Sequence, residues 1–186
     1  MLFGANRPRR VAVFISGSGS TLQALLDEHH DLQISLIVSN KRQALGAVKA
    51  KRFGKSVLWF SKEKDFDWLH EELLKRQIDA IFLAGFMKIL PEGFVSHWRG
   101  RILNIHPSLL PLFPGLHAAE KSYEAGQNMG VSLHQVNEGV DEGKIFLQMK
   151  SLKQTDLERN DLEKSLIYLR RTEQHLLREA ANRWKI

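Results

Sequence analysis

Val11-Ala12-Val13-Phe14-Ile15-Ser16-Gly17-Ser18-Gly19-Ser20-Thr21 is the stretch on which the fold turns. Five apolar, β-favouring residues in a row suit a strand buried on both faces, and such strands belong to parallel sheets covered by helices. Two glycines then interrupt it, and residues Thr21 to Glu28 carry apolar side chains at helical spacing. Strand, glycine-rich turn and helix are the opening of a doubly wound α/β sheet. The turn can also do chemistry. Its glycines let the backbone approach a ligand, and Ser20, Thr21 and the N–H groups at the helix start can hold a phosphate. It lacks the GK[ST] ending of a Walker A loop, and Leu22 stands where the dinucleotide fingerprint has its third glycine. A plain turn capped by Ser20 or Thr21 fits the same residues. Its place at the carboxyl end of a strand, where ligands gather in open sheets, favours the phosphate.

The alternation continues outward from this unit. Strands are expected at Ile34 to Ser39, Val57 to Phe60, Ala80 to Ala84 and Arg101 to Ile105. Helices are expected at Ala44 to Arg52, Asp65 to Gln77 and Pro91 to Trp98, with Phe66, Leu69 and Leu73 forming one apolar stripe. Beyond residue 105, Pro107, Pro111 and Pro114 punctuate a loop, and a helix runs to about Ala125. Val131 to Val136 and Ile145 to Lys150 read as strands around the turn-rich Asn137 to Lys144. A charged helix from about Thr155 to Trp184 closes the chain. The expected fold is α/β, a doubly wound, mostly parallel sheet with a Rossmann-like N-terminal half. We expect a single domain, 1-186, with a flexible lead-in at 1-9 and two halves, 10-106 and 107-186.

Composition narrows the function. The 186 residues contain no cysteine, which removes disulfides, thiolate nucleophiles and Cys-ligated metals. Hydrophobic residues at 43% and charged residues at 26% are those of an ordinary soluble globular chain. Apolar runs fall short of the roughly 20 residues a membrane helix needs. Met1 to Arg10 is basic without an apolar segment, so a cytoplasmic protein with no membrane partner is expected. Lysine and arginine number 27 against 21 acids, a formal +6 that points to an anionic partner. Nucleic acid is one such partner. The last helix, with Arg159, Lys164, Arg170, Arg171, Arg178, Arg183 and Lys185, has charge enough. Its acids interleave, however (Glu158, Asp161, Glu163, Glu173, Glu179), which is the pattern of a solvated face, and no base-stacking aromatic motif accompanies it. No nucleic-acid partner is expected. Nor is a metal: His29 and His30 are adjacent and point apart, and no H-E-x-x-H pattern occurs.

Leu103-Asn104-Ile105-His106-Pro107-Ser108-Leu109-Leu110-Pro111 is the most informative stretch for chemistry. Asn104 and His106 are two apart on a strand, so they project from one face. Burying either without a partner costs about 1–3 kcal/mol, so an apolar strand carrying both suggests a site. Asp141 falls in a turn, where aspartate is usually a turn former. Ser132 and His134 share a face of the preceding strand.

Together these motifs identify a resemblance. GSGSTLQ (Gly17 to Gln23), VSNK (Val38 to Lys41), LAGFMKIL (Leu83 to Leu90), LNIHPSLLP, Pro114-Gly115, SLHQV and VDEGKIFLQ follow the order of the glycinamide ribonucleotide formyltransferase family. The resemblance runs from about residue 10 to 184. It implies the formyltransferase fold and transfer of a formyl group from 10-formyltetrahydrofolate to the amine of glycinamide ribonucleotide in purine synthesis. It implies that Asn104, His106 and Asp141 are catalytic: Asn104 and a protonated His106 as donors to the oxyanion, Asp141 as orienter of His106 and proton shuttle. Ser132 and His134 would support Asp141. Gly19, Ser20 and Thr21 match the substrate phosphate cradle, so 10-106 becomes the phosphate-binding half and 107-186 the folate and catalytic half. Phe86, Met87, Lys88, Ile89, Leu90, Ile102, Leu103, Val136, Val140 and Asp141 match the folate pocket. The implied partners are small molecules, a phosphorylated amine and a folate, on a monomer or homodimer.

The chain departs from the family pattern on the acceptor side. Ser18 and Thr21 replace two asparagines of the glycine-rich turn. In the last helix a usual Q-T-Q-E-H becomes Arg171-Thr172-Glu173-Gln174-His175, so the expected carboxylate falls on Gln174 unless Glu173 takes its role. Lys62, Arg171, Glu173 and Gln174 are candidate substrate contacts. A formyltransferase acting on another amine, such as an amino-sugar nucleotide, is the alternative.

Overall fold

A computed structural model of the chain describes residues 9–27, 33–151 and 161–184. The expected lead-in up to residue 8, the last residue of the first helix, His29, His30 and the expected helix start at 155–160 lie outside the described residues. Seven strands form one sheet among them: β1 (Arg10–Ile15), β2 (Gln33–Ser39), β3 (Val57–Trp59), β4 (Ala80–Leu83), β5 (Ile102–His106), β6 (Gly130–Gln135) and β7 (Ile145–Lys150). Their order is β3-β2-β1-β4-β5-β6-β7. The first five run parallel, and β6 and β7 pair antiparallel, as the mostly parallel expectation required. Helices α1 (Ser20–Leu26), α2 (Leu45–Arg52), α3 (Phe66–Lys75), α4 (Glu92–His97), α5 (Ala118–Glu124) and α6 (Leu162–Arg183) cover the faces.

Alternation along β1 explains the layering. Val11, Val13 and Ile15 pack with Leu22, Ala47, Ala119 and Leu176 under α1, α2, α5 and α6. Ala12 and Phe14 face the other way, toward Leu69 and Leu73 of α3 and Phe94 of α4. Each such buried Val, Leu, Ile or Phe contributes roughly 1.5–3 kcal/mol. Side-chain caps set two helix starts. Asp65 accepts from Trp68 N at 2.7 Å, and Asp161 accepts from Lys164 N at 3.1 Å. That second cap opens α6 at Leu162.

The strand order reverses at β1, with β2 on one side and β4 on the other, so a crevice forms at the carboxyl ends there. Ser16 ties the three ends together. Its hydroxyl donates to Asn40 Oδ1 at 2.7 Å and accepts from Met87 N at 2.8 Å, while its N–H donates to Gly85 O at 3.1 Å.

Candidate active site

Register brings the polar residues of β5 and β6 together. Asn104 pairs with His134 and His106 with Ser132 across the antiparallel ladder, so all four side chains share a sheet face. The turn after β6 folds back over that face and delivers Asp141. A Cβ at Gly143 would sit 1.6 Å from Gln135 O, so only glycine allows the turn to lie this close to β6. Asp141 itself has φ of 58°, a left-handed conformation that aspartate tolerates better than most residues.

The carboxylate is the centre of the cluster. Oδ2 lies 3.2 Å from His106 Nδ1 and accepts the Gly115 N–H at 2.8 Å. Oδ1 lies 3.3 Å from both His134 Nε2 and Asn104 Nδ2. Burial by itself would raise the Asp141 pKa. The His134 contact, the Gly115 N–H and the two imidazoles outweigh it and bring the value from 3.8 to about 2. Asp141 is therefore ionised at neutral pH, and although it sits in a turn its oxygens meet His106, His134, Asn104 and Gly115.

His106 is buried between two acceptors. Nε2 lies 2.9 Å from the Phe113 carbonyl and Nδ1 faces Asp141. Only the doubly protonated ring donates to both. His134 Nδ1 lies 3.0 Å from Gln135 O and donates to it. That leaves Nε2 to accept the Asn104 amide at 3.2 Å or, once protonated, to donate to Asp141. Here both donors expected for an oxyanion are engaged within the protein: Asn104 with Asp141 and His134, His106 with Phe113 and Asp141. Ser132 does not touch Asp141. It fastens the loop after β5, accepting from Leu110 N at 3.0 Å and Gln148 Nε2 at 2.8 Å and donating to Ser108 O at 2.7 Å.

The glycine-rich turn forms a second centre. Gly19 is the N-cap of α1, with φ of 69°, and no side chain caps the helix. Ser20 and Thr21 lie inside the helix, so the alternative reading of a plain turn capped by one of them does not hold. A Cβ on Gly19 would come within 2.5 Å of Gly46 Cα, so the turn packs directly on the start of α2. Thr21 Oγ1 donates to Glu173 Oε1 of α6. Of the two last-helix candidates Glu173 and Gln174, it is Glu173 that meets the glycine-rich turn. Burial pushes its pKa up, against the pull of the Thr21 hydroxyl and the Arg170 charge. A cleft of about 500 Å³ opens beside the turn, lined by Ser16, Gly17, Ser18 and the segment from Lys41 to Leu45.

The remaining candidates divide. Phe86 packs edge-on against Phe14 at 5.2 Å, and Ile102 and Leu103 are buried, so all three are core. Leu90 and Val136 pack on the same core as Phe86. Met87, Ile89 and Val140 are 62%, 82% and 55% exposed, free to cover an apolar ligand. The Lys88 ammonium lies over the Phe60 ring at 4.6 Å. Lys62 and Arg171 are exposed, Arg171 lying 5.7 Å from the Tyr168 ring, and Gln174 is half-buried. Among the described residues, no group of three or more His, Asp or Glu could hold a metal ion, and no helix is long and apolar enough to cross a membrane. The sequence assigns no role to the Gly115 N–H, the Phe113 carbonyl or Gln148, although Gly115 and Gln148 stand in the motifs Pro114-Gly115 and VDEGKIFLQ. The first two are backbone groups with no residue signature. Gln148 carried a faint one, a lone amide in the apolar run Ile145 to Met149.

Comparisons with known proteins meet this geometry. A family model described as formyl transferase matches residues 9–179. The trifunctional purine biosynthetic protein adenosine-3 of Drosophila melanogaster is 44% identical over 158 residues, covering 77% of this chain but 12% of that protein. Phosphoribosylglycinamide formyltransferase of Haemophilus influenzae is 41% identical over 154 residues, 76% of this chain and 72% of the relative. The crystal structure of glycinamide ribonucleotide transformylase 1 from Geobacillus kaustophilus superposes with a TM-score of 0.87 at 32% identity, covering 95% of this chain and 98% of that one.

Proposed function

The chain belongs to the formyl transferase family, and on that premise we propose that it moves the formyl group of 10-formyltetrahydrofolate onto the amine of glycinamide ribonucleotide. The observation that carries the proposal is the ionised Asp141 held between His106 and His134 beside the Asn104 amide. Attack of a neutral amine on the formyl carbon makes a carbon–nitrogen bond, places negative charge on the formyl oxygen and leaves an extra proton on the attacking nitrogen. Asn104 Nδ2 is the donor for that oxygen, exchanging its present partners for it. His106 Nε2 is the second donor, its proton shared between the Phe113 carbonyl, which keeps the ring aimed, and the formyl oxygen. Asp141, charged and partly accessible, takes the amine proton directly or through water. It returns the proton to the departing folate nitrogen as the old carbon–nitrogen bond breaks.

Gly19, Ser20 and Thr21 hold the acceptor's phosphate in this proposal, supported by a helix start without a side-chain cap. Glu173, reaching the same turn through Thr21, supplies the acceptor-side carboxylate. The exposed Met87, Ile89 and Val140 offer apolar cover for the folate rings. The folate is a co-substrate, and the chemistry draws on no metal. The enzyme works on small molecules in the cytoplasm.

A steady-state assay following loss of the formyl cofactor, with glycinamide ribonucleotide beside a panel of amino sugars and amino-sugar nucleotides, tests the proposal. Turnover with the ribonucleotide is expected. Turnover with another amine alone would sink the purine assignment and leave the formyl chemistry standing.

A further inference from the structure

Gln148 lies on β7, exposed and outside the cluster of Asn104, His106 and Asp141, yet hydrogen bonds through the loop after β5 join it to them. Its Nε2 donates to the Leu110 carbonyl at 2.9 Å and to Ser132 Oγ at 2.8 Å. Ser132 Oγ donates in turn to Ser108 O at 2.7 Å and accepts from Leu110 N at 3.0 Å. The Ser108 hydroxyl donates to Leu112 O at 2.6 Å, with the Phe113 carbonyl 3.4 Å away. Phe113 O then accepts from His106 Nε2 at 2.9 Å, and His106 Nδ1 faces Asp141. The Gln148 amide therefore holds the Leu110 carbonyl directly and the Leu110 N–H through Ser132. The segment it fastens carries the carbonyl that sets the His106 ring.

We propose that Gln148 is a positioning residue that fixes the 108–113 loop so that the Phe113 carbonyl holds His106 in its working orientation. It touches neither substrate, and its effect on turnover rests on the formyl-transfer reading above. The physical basis is donor supply. The buried Ser132 hydroxyl has one proton and gives it to Ser108 O, so the Leu110 carbonyl depends on Gln148 for its side-chain donor. Without that donor the loop loses its tie to β7, and the carbonyl on His106 Nε2 is free to drift. Displacement of a catalytic group by about 1 Å costs up to about 100-fold in rate.

Gln148→Met tests this, because methionine keeps the length of the side chain and removes the donor. The exposed position leaves no core cavity. Proton NMR of the His106 ring is the primary measurement, and it needs no substrate. In the unmodified protein both ring protons are expected to be protected from exchange. In Gln148→Met the Nε2 proton is expected to exchange at least about tenfold faster while the Nδ1 proton, held by Asp141, keeps its rate. The companion assay expects kcat to fall about tenfold with both KM values within about twofold. An unchanged Nε2 exchange rate in the variant would overturn the proposal. So would equal acceleration of both ring protons, the sign of general destabilisation. If the unmodified protein does not turn over glycinamide ribonucleotide, the function reading fails by itself and the exchange rates still decide the role of Gln148.

Discussion

The glycine-rich turn and the Asp141 cluster sit at the same sheet but are built by different means. The turn gathers its groups from one short run, residues 16–21, and borrows a backing glycine from α2 and a carboxylate from α6. The cluster takes side chains from β5 and β6 and a turn that folds back over them, with backbone groups from a fourth segment, residues 113–115. The turn offers mainly backbone N–H groups and so suits a fixed anion. The cluster offers three titratable side chains in mutual contact and so suits proton movement. In the proposed enzyme, damage to the turn should weaken acceptor binding, and damage to the cluster should slow the chemistry.

The sharpest way to break that contrast is Asn104→Ala. In the proposed mechanism it removes the amide donor to the formyl oxygen, and kcat should fall about 10²–10³-fold with little change in the KM for the acceptor. A loss confined to KM would move Asn104 from chemistry to binding. Next in size is the acid response of Asp141. Its carboxyl titrates near 3.8 when free and about 2 when folded. A depressed folded pKa stabilises the fold above the free value, and that contribution is lost as pH falls from about 3.8 to about 2. The difference is worth about 2 kcal/mol. Urea unfolding of the unmodified protein and Asp141→Asn at stepped pH should therefore show the full stability gap just above this window and a shrinking one within it. A gap that ignores pH would mean the rings and the Gly115 N–H do not hold the charge.

Thr21→Val probes the other region. It removes the hydroxyl that donates to Glu173 and keeps the side-chain shape, so the KM for the phosphorylated acceptor should rise about tenfold with kcat nearly intact. Comparable falls in kcat would erase the division between the two regions. The smallest expected effect is that of Ile89→Ser. The side chain is 82% exposed, so stability should change by less than about 0.5 kcal/mol. The KM for the folate should rise a few-fold, and an unchanged value would remove Ile89 from the folate surface.

Both regions were legible from residues, to different depths. Continuous apolar strands such as Val11 to Ile15 betray a parallel sheet because both faces must be covered, and that holds whatever the partners are. Asn104 and His106 stood out because polar pairs do not belong in such a strand. Asp141 looked like any turn aspartate by spacing alone, and only motif resemblance raised it. The order Glu173-Gln174 left two choices for one carboxylate, and a helix pattern cannot say which side chain meets α1.

The sequence alone determined the α/β architecture, the polar residues at the carboxyl ends of its strands, the Asn–His pair and the expectation of an anionic partner. These follow from local pattern, and local pattern is written in adjacent residues. The tertiary structure decided which residues meet. The antiparallel register set His134 opposite Asn104, the close approach at Gly143 brought Asp141 onto two imidazoles, and the loop after β5 placed the Phe113 carbonyl on His106. Those outcomes depend on backbone groups and on pairings between distant segments, neither of which carries a residue signature.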